Sequence, residues 1–327
     1  MIVTASAPIR VCDCGGWTDT WFAGHGRVLN IAVRPRALVR VATFPARPDR
    51  PRVVIDAVDF GDRYVPRFIP GQWDRHPLLE AAIARCDPPD DVAVEISIRC
   101  GAPAGAGTGT SAAVTVALVG ALATLRGERM TADELARAAH AVETENLGRQ
   151  SGIQDQICSA YGGINDIRMR EYPRGEVRRL QLSASVLAEL ERRLVLVFVG
   201  RSHRSSEIHQ RVIAWLTGRG AHCAQLEDLR LAAQHSATAL DAGDLTAFGA
   251  AMVENTEAQR RLHPDLVCPD ARRIIDVARQ CGAAGWKVNG AGGDGGSLTL
   301  LGPPDPDAMS EMRRAIKTRC GGAEEVP

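Results

Sequence analysis

Two domains that mix strands with helices are what the sequence predicts, and three observations carry that expectation. The chain has 327 residues, about two domains at roughly 100–200 residues each. Its first half is rich in β-branched segments separated by glycine loops, whereas its second half reads as a run of helices. A change of character near residues 183–193 separates the halves, which places one domain over 1–190 and the other over 191–327.

Residues 7–13 read as a strand running into Gly15-Gly16. Residues 28–41 read as one or two strands, with Pro35 breaking the run. The Pro-, Arg- and Asp-rich stretch 45–75 suggests edge strands and loops, and 76–85 a helix. Over 92–99, Val92, Val94, Ile96 and Ile98 alternate on one face of a strand. A glycine-rich loop at 101–109 leads into 110–125, small and apolar throughout and therefore a buried helix. Thr131-Ala-Asp-Glu134 is a capping box, and its helix sets Leu135, Ala138, Ala139 and Val142 on one face. A glycine-bearing turn at 148–152 follows, then 153–161. Residues 194–199 are a continuous apolar strand; 205–216, 221–242, 245–261 and 269–280 are helices. A third glycine-rich stretch at 290–296 precedes a strand at 297–301 and a last helix, with a frayed tail from Gly321.

Composition excludes several classes. Lys+Arg and Asp+Glu both number 39, so no net charge points to nucleic acid or an anionic membrane. The nine cysteines are scattered, which argues against a disulfide framework; Cys12 and Cys14 read as small apolar residues flanking Asp13 in a strand. The opening residues lack the pattern of a signal peptide, and the longest apolar stretch is too short to span a bilayer. The expectation is a cytoplasmic protein; the sequence leaves a homodimer open.

The chemistry centres on strand, loop and helix at 92–125, with the loop Pro103-Ala-Gly-Ala-Gly-Thr-Gly-Thr-Ser-Ala-Ala113. Glycines let successive N–H groups converge on one point, and the following helix adds its positive end, so a phosphate is the natural occupant. Thr108, Thr110 and Ser111 add hydroxyls for phosphate or metal. No lysine stands in the loop, so it is no Walker A sequence. The spacing Gly105, Gly107, Gly109 is not the dinucleotide fingerprint, which weighs against an oxidoreductase. A tight packing turn without a ligand is the plain alternative.

At this point a resemblance becomes specific. Residues 103–113 resemble the second motif, P-x-G-A-G-L-G-S-S-A-A, of the GHMP kinases (galactokinase, homoserine kinase, mevalonate kinase and phosphomevalonate kinase), with Thr108 and Thr110 replacing Leu and Ser. Ala7-Pro-Ile-Arg-Val11 with Gly15-Gly-Trp-Thr-Asp-Thr20 resembles the first motif. Lys287-Val-Asn-Gly-Ala-Gly-Gly-Asp-Gly-Gly296 resembles the third, with Asp294 departing from the all-glycine form. Ser151-Gly-Ile-Gln-Asp-Gln156 resembles the segment that carries the catalytic aspartate in sugar kinases of the family. Four motifs in family order cover nearly the whole chain. The Gly-Gly-Trp-Thr-Asp-Thr and Gln-Asp-Gln forms look most like D-glycero-D-manno-heptose 7-phosphate kinases and L-fucokinases.

The resemblance implies a two-domain α+β GHMP kinase fold. Its N-terminal, ATP-binding domain would carry a mixed sheet with a left-handed βαβ unit, its C-terminal domain would be ferredoxin-like, and the active site would lie in the cleft between them. It implies ATP and Mg²⁺ as cofactors. Asp155 would be the catalytic carboxylate; otherwise it is a first-turn helix acid. Arg10 would support it. The ATP loop would comprise Pro103, Gly105, Ala106, Gly107, Thr108, Gly109, Thr110 and Ser111. Ser111 and an acid of the preceding helix would hold Mg²⁺; Glu143 and Glu145 compete, helical periodicity does not choose, and family spacing favours Glu143. Asp19 would read sugar hydroxyls. Trp17 either stacks on the sugar or fills the core. His25 and Asn30 fall in the segment expected near the sugar, and Gly152 and Gly292 should back the substrate. Arg27, Arg34 and Arg36, or Arg149, are candidates for a remote anionic group, and residues 201–206 are another anion-friendly cluster. The implied reaction is phosphorylation of a sugar or sugar phosphate hydroxyl, foremost at the anomeric carbon, as by a heptose 7-phosphate 1-kinase. An L-fucose or uronic-acid 1-kinase is the near alternative, and a non-catalytic sensor of sugar and ATP the rival from another class.

Overall fold

The computed structural model describes residues 1–69, 72–200, 205–219 and 221–326, with the side chains of 205–209 also undescribed. The chain forms two compact units, each discontinuous in sequence. One gathers Met1–Ile9, Val33–Ala102 and Gly109–Gly162; the other gathers Arg10–Ala32, Pro103–Thr108 and Gly163–Pro327.

In the first unit, strand β1 (Ile2–Cys14) begins and β2 (Gly26–Pro45) ends. β3 (Val53–Ala57), β4 (Asp62–Tyr64), helix α1 (Pro77–Cys86) and β5 (Val92–Cys100) follow. β5 runs antiparallel to β2 and parallel to β3, and β4 is antiparallel to β3, so the sheet is mixed. The alternation expected of β5 buries Val94, Ile96 and Ile98. Pro35 does not break β2: the strand runs on through a cis Arg34–Pro35 bond.

Helix α2 (Thr110–Leu125) is apolar nearly all round and buries ten residues, which demands cover on most sides. It packs with α1, α3 (Ala132–Ala141) and α4 (Gln154–Tyr161). The Thr131–Glu134 capping box opens α3. α3 then passes into a π-helical turn, Val142–Asn146, a distortion often found at functional sites.

In the second unit the first part of β2 pairs with β6 (Ile164–Glu171), which forms a hairpin with β7 (Arg174–Leu180). Ser183 caps helix α5 (Ala184–Arg193). β8 (Leu194–Phe198), α6 (Ser205–Thr217), α7 (Ala224–Asp241), α8 (Leu245–Leu262) and α9 (Pro269–Gln280) come next. β9 (Gly285–Val288), β10 (Ser297–Leu301), α10 (Pro306–Arg319) and β11 (Glu324–Val326) complete the chain. A four-stranded antiparallel sheet has the order β11-β8-β10-β9. Its core joins Val195, Val197, Leu298 and Leu300 to Ile274 of α9 and Met312 of α10. The tail is therefore not frayed, because Glu324–Val326 satisfy the open edge of β8. Among the described residues, no helix is long and apolar enough to cross a membrane.

Candidate active site

The expected site residues divide between the two units. Asp155 lies in the first turn of α4, half-exposed, and accepts a hydrogen bond from the Gln154 amide. In the same unit Glu143 is 7% exposed and accepts from Gln156 Nε2 at 3.2 Å. Burial, and then the nearby Asp155 charge, push the Glu143 carboxyl above the ordinary glutamate range; Arg149, Gln156 and Ser151 pull the other way. Glu145 instead is exposed and ion-paired to Arg85 at 2.9 Å. The π turn explains the contrast, since it breaks the 3.6-residue register in which both acids looked alike. Gly152 sits in the turn before α4, and Ser111 is exposed in the first turn of α2.

The loop before α2 adopts the conformation its glycines permit: Gly105, Gly107 and Gly109 have φ of 73°, 71° and 69°. Pro103, Ala106 and Thr108 belong to the second unit, and Gly109, Thr110 and Ser111 to the first. In the second unit Gly107 is pressed against the third glycine-rich stretch. A Cβ on Gly107 would lie 3.0 Å from Asn289 O, and one on Gly290 2.9 Å from Gly107 O. Gly107→Ala is accordingly expected to destabilise the protein by about 1–2 kcal/mol through its left-handed backbone alone, before any shift of Asn289. A denaturant midpoint unchanged by the substitution would show that the loop does not hold this conformation.

Arg10, 3% exposed, donates to Gly107 O through its side chain, and its backbone N–H donates to Thr108 O at 2.9 Å. It also lies 3.7 Å from Asp13. Asp13 Oδ1 receives Lys287 Nζ at 3.3 Å and the Gly290 N–H at 3.1 Å. Lys287 donates further to Gln259 Oε1 at 3.3 Å and to Val288 O. Asn289 Oδ1 accepts from Cys12 N at 3.2 Å and Thr299 Oγ1 at 3.0 Å. This buried network of Asp13, Lys287, Gln259 and Asn289 braces the third glycine-rich stretch at Gly290, against which Gly107 packs, and sequence reasoning missed it. Two signals were available: a charged residue amid apolar strand neighbours, and a lysine in a chain with only two.

Asp19 is 4% exposed in the turn after β1, whose Thr18 hydroxyl donates to Gly15 O at 2.7 Å. Trp17 is 8% exposed, packs with Ala23, Leu226, Leu229 and Leu262, and holds φ at 80°. A left-handed backbone on a residue that size is strained, by about 1–3 kcal/mol. His25 lies beside His222 and Glu227. Asn30 pairs across the sheet with Asn165 at 3.1 Å, both fully buried. Gly292 is backed against Leu266 O, and the Asp294 side chain is exposed. Arg27 is held by Asp166 through two bonds of 3.0 and 3.1 Å, which commits it within the fold. Arg34, Arg36 and Arg149 are exposed, with Arg36 bonded to Ser6. Of the cluster at 201–206, residues 201–204 lie outside the described residues.

The sequence itself matches a defined family. The GHMP kinases N terminal domain matches residues 78–163, and the GHMP kinases C terminal matches residues 236–321. A mevalonate kinase of Methanothermobacter thermautotrophicus is 31% identical over 238 residues, covering 70% of each chain. The chain belongs to the GHMP kinase family. It is also similar to a bifunctional fucokinase/GDP-fucose pyrophosphorylase of Arabidopsis thaliana, 25% identical over 95% of this chain. A D-glycero-alpha-D-manno-heptose 7-phosphate kinase of Campylobacter jejuni is 26% identical over 68% of it. The chain spans only 30% and 65% of those two proteins. Among solved structures, a D-glycero-D-manno-heptose 1-phosphate kinase from Bacteriodes thetaiotaomicron superposes with a TM-score of 0.74 at 22% identity, over 100% of this chain and 95% of that one. That likeness shows the fold: two domains, a mixed sheet in the N-terminal part and a smaller sheet-and-helix domain.

Proposed function

We propose that this protein is an ATP-dependent kinase that phosphorylates a hydroxyl of a sugar or sugar phosphate, foremost at the anomeric carbon of a heptose 7-phosphate-like substrate. The observation that carries the reading is the buried Glu143 set beside Asp155, in the unit whose helix α2 continues the glycine loop. A division near residue 190 into an ATP-binding and a C-terminal part belongs to the same proposal. The names of two relatives, a heptose 7-phosphate kinase and a fucokinase, support a sugar substrate.

The residues fit both cofactors. Three left-handed glycines and the start of a 16-residue helix with no acid in its first turn suit the phosphates of ATP. Pro103, Gly105, Ala106, Gly107, Thr108, Gly109, Thr110 and Ser111 would line them. Glu143 and Ser111 offer the hard oxygens that Mg²⁺ takes. Bound there, Mg²⁺ supplies neutralisation of phosphate charge. Asp155 would accept the proton of the attacking hydroxyl and orient its oxygen. Arg10 would hold the loop at Gly107 and add positive charge to it. Asp19 would accept from adjacent sugar hydroxyls, with Trp17, His25, Gly152 and Gly292 shaping the substrate site.

Glu143→Gln separates the metal role from a packing role. In the metal-free protein it removes a buried carboxylate, so the melting temperature should rise at neutral pH. The sign follows from the raised carboxyl: the folded form binds its proton more tightly than the unfolded form. Wild-type stability is therefore lost as pH climbs from 4.5, the ordinary glutamate value, through the folded value. The advantage of the variant should vanish below that window. With ATP present, the Mg²⁺ concentration for half-maximal rate should increase about 10–100-fold. An unchanged Mg²⁺ dependence would remove Glu143 from the metal site.

The deciding experiment measures ADP release from Mg-ATP across free sugars, uronic acids, sugar phosphates and mevalonate, with the product's phosphorylation site read by phosphorus NMR. One strong sugar substrate phosphorylated at C1 is the expected result. L-fucose or a uronic acid as that substrate would select the alternative. Turnover of mevalonate alone would overturn the sugar reading, and ATP binding without turnover would point to a sensor.

A further inference from the structure

One cluster, sharing only His25 with the proposed substrate site, brings together three metal-ligating side chains from separate segments. His25 follows the turn after β1, His222 precedes α7, and Glu227 stands in the first turn of α7. His25 Nε2 lies 3.8 Å and His222 Nδ1 3.6 Å from Glu227 Oε1, and all three ligand atoms fall within 4.8 Å of one another. We propose that His25, His222 and Glu227 bind a divalent transition-metal ion of the zinc class, leaving one coordination position open.

Two imidazoles and a carboxylate form a donor set suited to Zn²⁺, Ni²⁺ or Cu²⁺, and poor for Mg²⁺ with its demand for oxygen. Ligands about 2.0–2.2 Å from a tetrahedral ion stand about 3.3 Å apart. Closure therefore asks for side-chain adjustment only, and the His222 side chain, 82% exposed, is free to turn.

The scaffold behind the cluster distinguishes it from a chance surface grouping. Arg230, 6% exposed, binds all three ligand-bearing segments at once. It donates to Ala23 O at 2.8 Å, to His25 O at 2.8 Å, to Ala221 O at 2.9 Å and to Glu227 Oε1 at 2.7 Å. One buried guanidinium thus fixes the backbones that carry both histidines and aims the carboxylate, the part that outer partners play around metal ions. It uses one acceptor position of a carboxylate that has about four. Ala23 also packs with Leu226 and Leu229 of α7, so the base is rigid.

The test uses the full, tag-free chain, first stripped with EDTA. Calorimetric titration with ZnCl₂ should find one site per chain, and Co²⁺ should give tetrahedral d–d absorption without a thiolate charge-transfer band. A large excess of Mg²⁺ should leave both unchanged. His222→Ala should lose the site while keeping its EDTA melting temperature and its Mg-ATP activity; Glu227→Gln should weaken binding about 10-fold or more. Zn²⁺ should raise the melting temperature of the wild type and not of His222→Ala. No stoichiometric binding, binding unaltered in both His222→Ala and His25→Ala, or a thiolate band would each overturn the proposal. Apart from the activity of His222→Ala, none of these readouts depends on the sugar substrate.

Discussion

Asp155→Asn is expected to lower kcat by about 10²–10⁴-fold, the usual contribution of a positioned proton acceptor, while ATP affinity stays close to wild type. Asparagine keeps the shape of the side chain and its place in the first turn of α4. It also keeps an oxygen to accept from Gln154. What it loses is the capacity to take a proton and the negative charge that lies beside Glu143. The variant should therefore fold and bind nucleotide. Single-turnover rates, read beside ATP affinity from tryptophan fluorescence, separate the chemical step from binding. Wild-type turnover by a folded Asp155→Asn protein would take away the catalytic role and leave the residue as a helix-start acid.

The second large effect concerns stability. Lys287 and Asp13 are each 1% exposed, and Asp13 also receives the Gly290 N–H. Lys287→Met should destabilise the fold by about 3–5 kcal/mol, because it leaves a buried carboxylate with only Arg10, 3.7 Å away, as its cation, rather than because the pair is strong. For a unit of this size that corresponds to a melting temperature lower by on the order of 10 °C. Removing both charges, in Asp13→Leu with Lys287→Met, should recover much of the loss. Since Asp13 also holds Gly290 and approaches Arg10, the double variant should still bind ATP less well than wild type. Thermal melts of the four proteins of this cycle check the claim. A single variant as stable as wild type would show that the ammonium and carboxylate do not depend on each other.

Much of this molecule was legible in the chain because its cues are local. The Thr131 capping box, the alternation of β5 and the all-apolar α2 depend on neighbours within a few residues. The glycine loop is equally local, since left-handed backbone at Gly105, Gly107 and Gly109 is a property of glycine itself. Where local rules failed, a distant partner had overridden them. Pro35 stays in β2, whose residues 37–45 pair with β5. The tail becomes β11 because β8 had an edge to pair. The hairpin of β6 and β7 was hidden because β7, mostly exposed, offers only Val177 and Leu180 as apolar signal.

The sequence by itself determined the four motifs, their order, and hence the family and the residue types available for phosphoryl transfer. Only the tertiary structure shows that Glu143 is buried while Glu145, in the same π turn, is exposed and paired with Arg85. It alone committed Arg27 to Asp166, joined Lys287 to an aspartate 274 positions away, and gathered His25, His222 and Glu227 around one arginine. The physical reason is common to all of these. Turn and helix chemistry acts between residues near in sequence, whereas burial and charge pairing act between residues near in space.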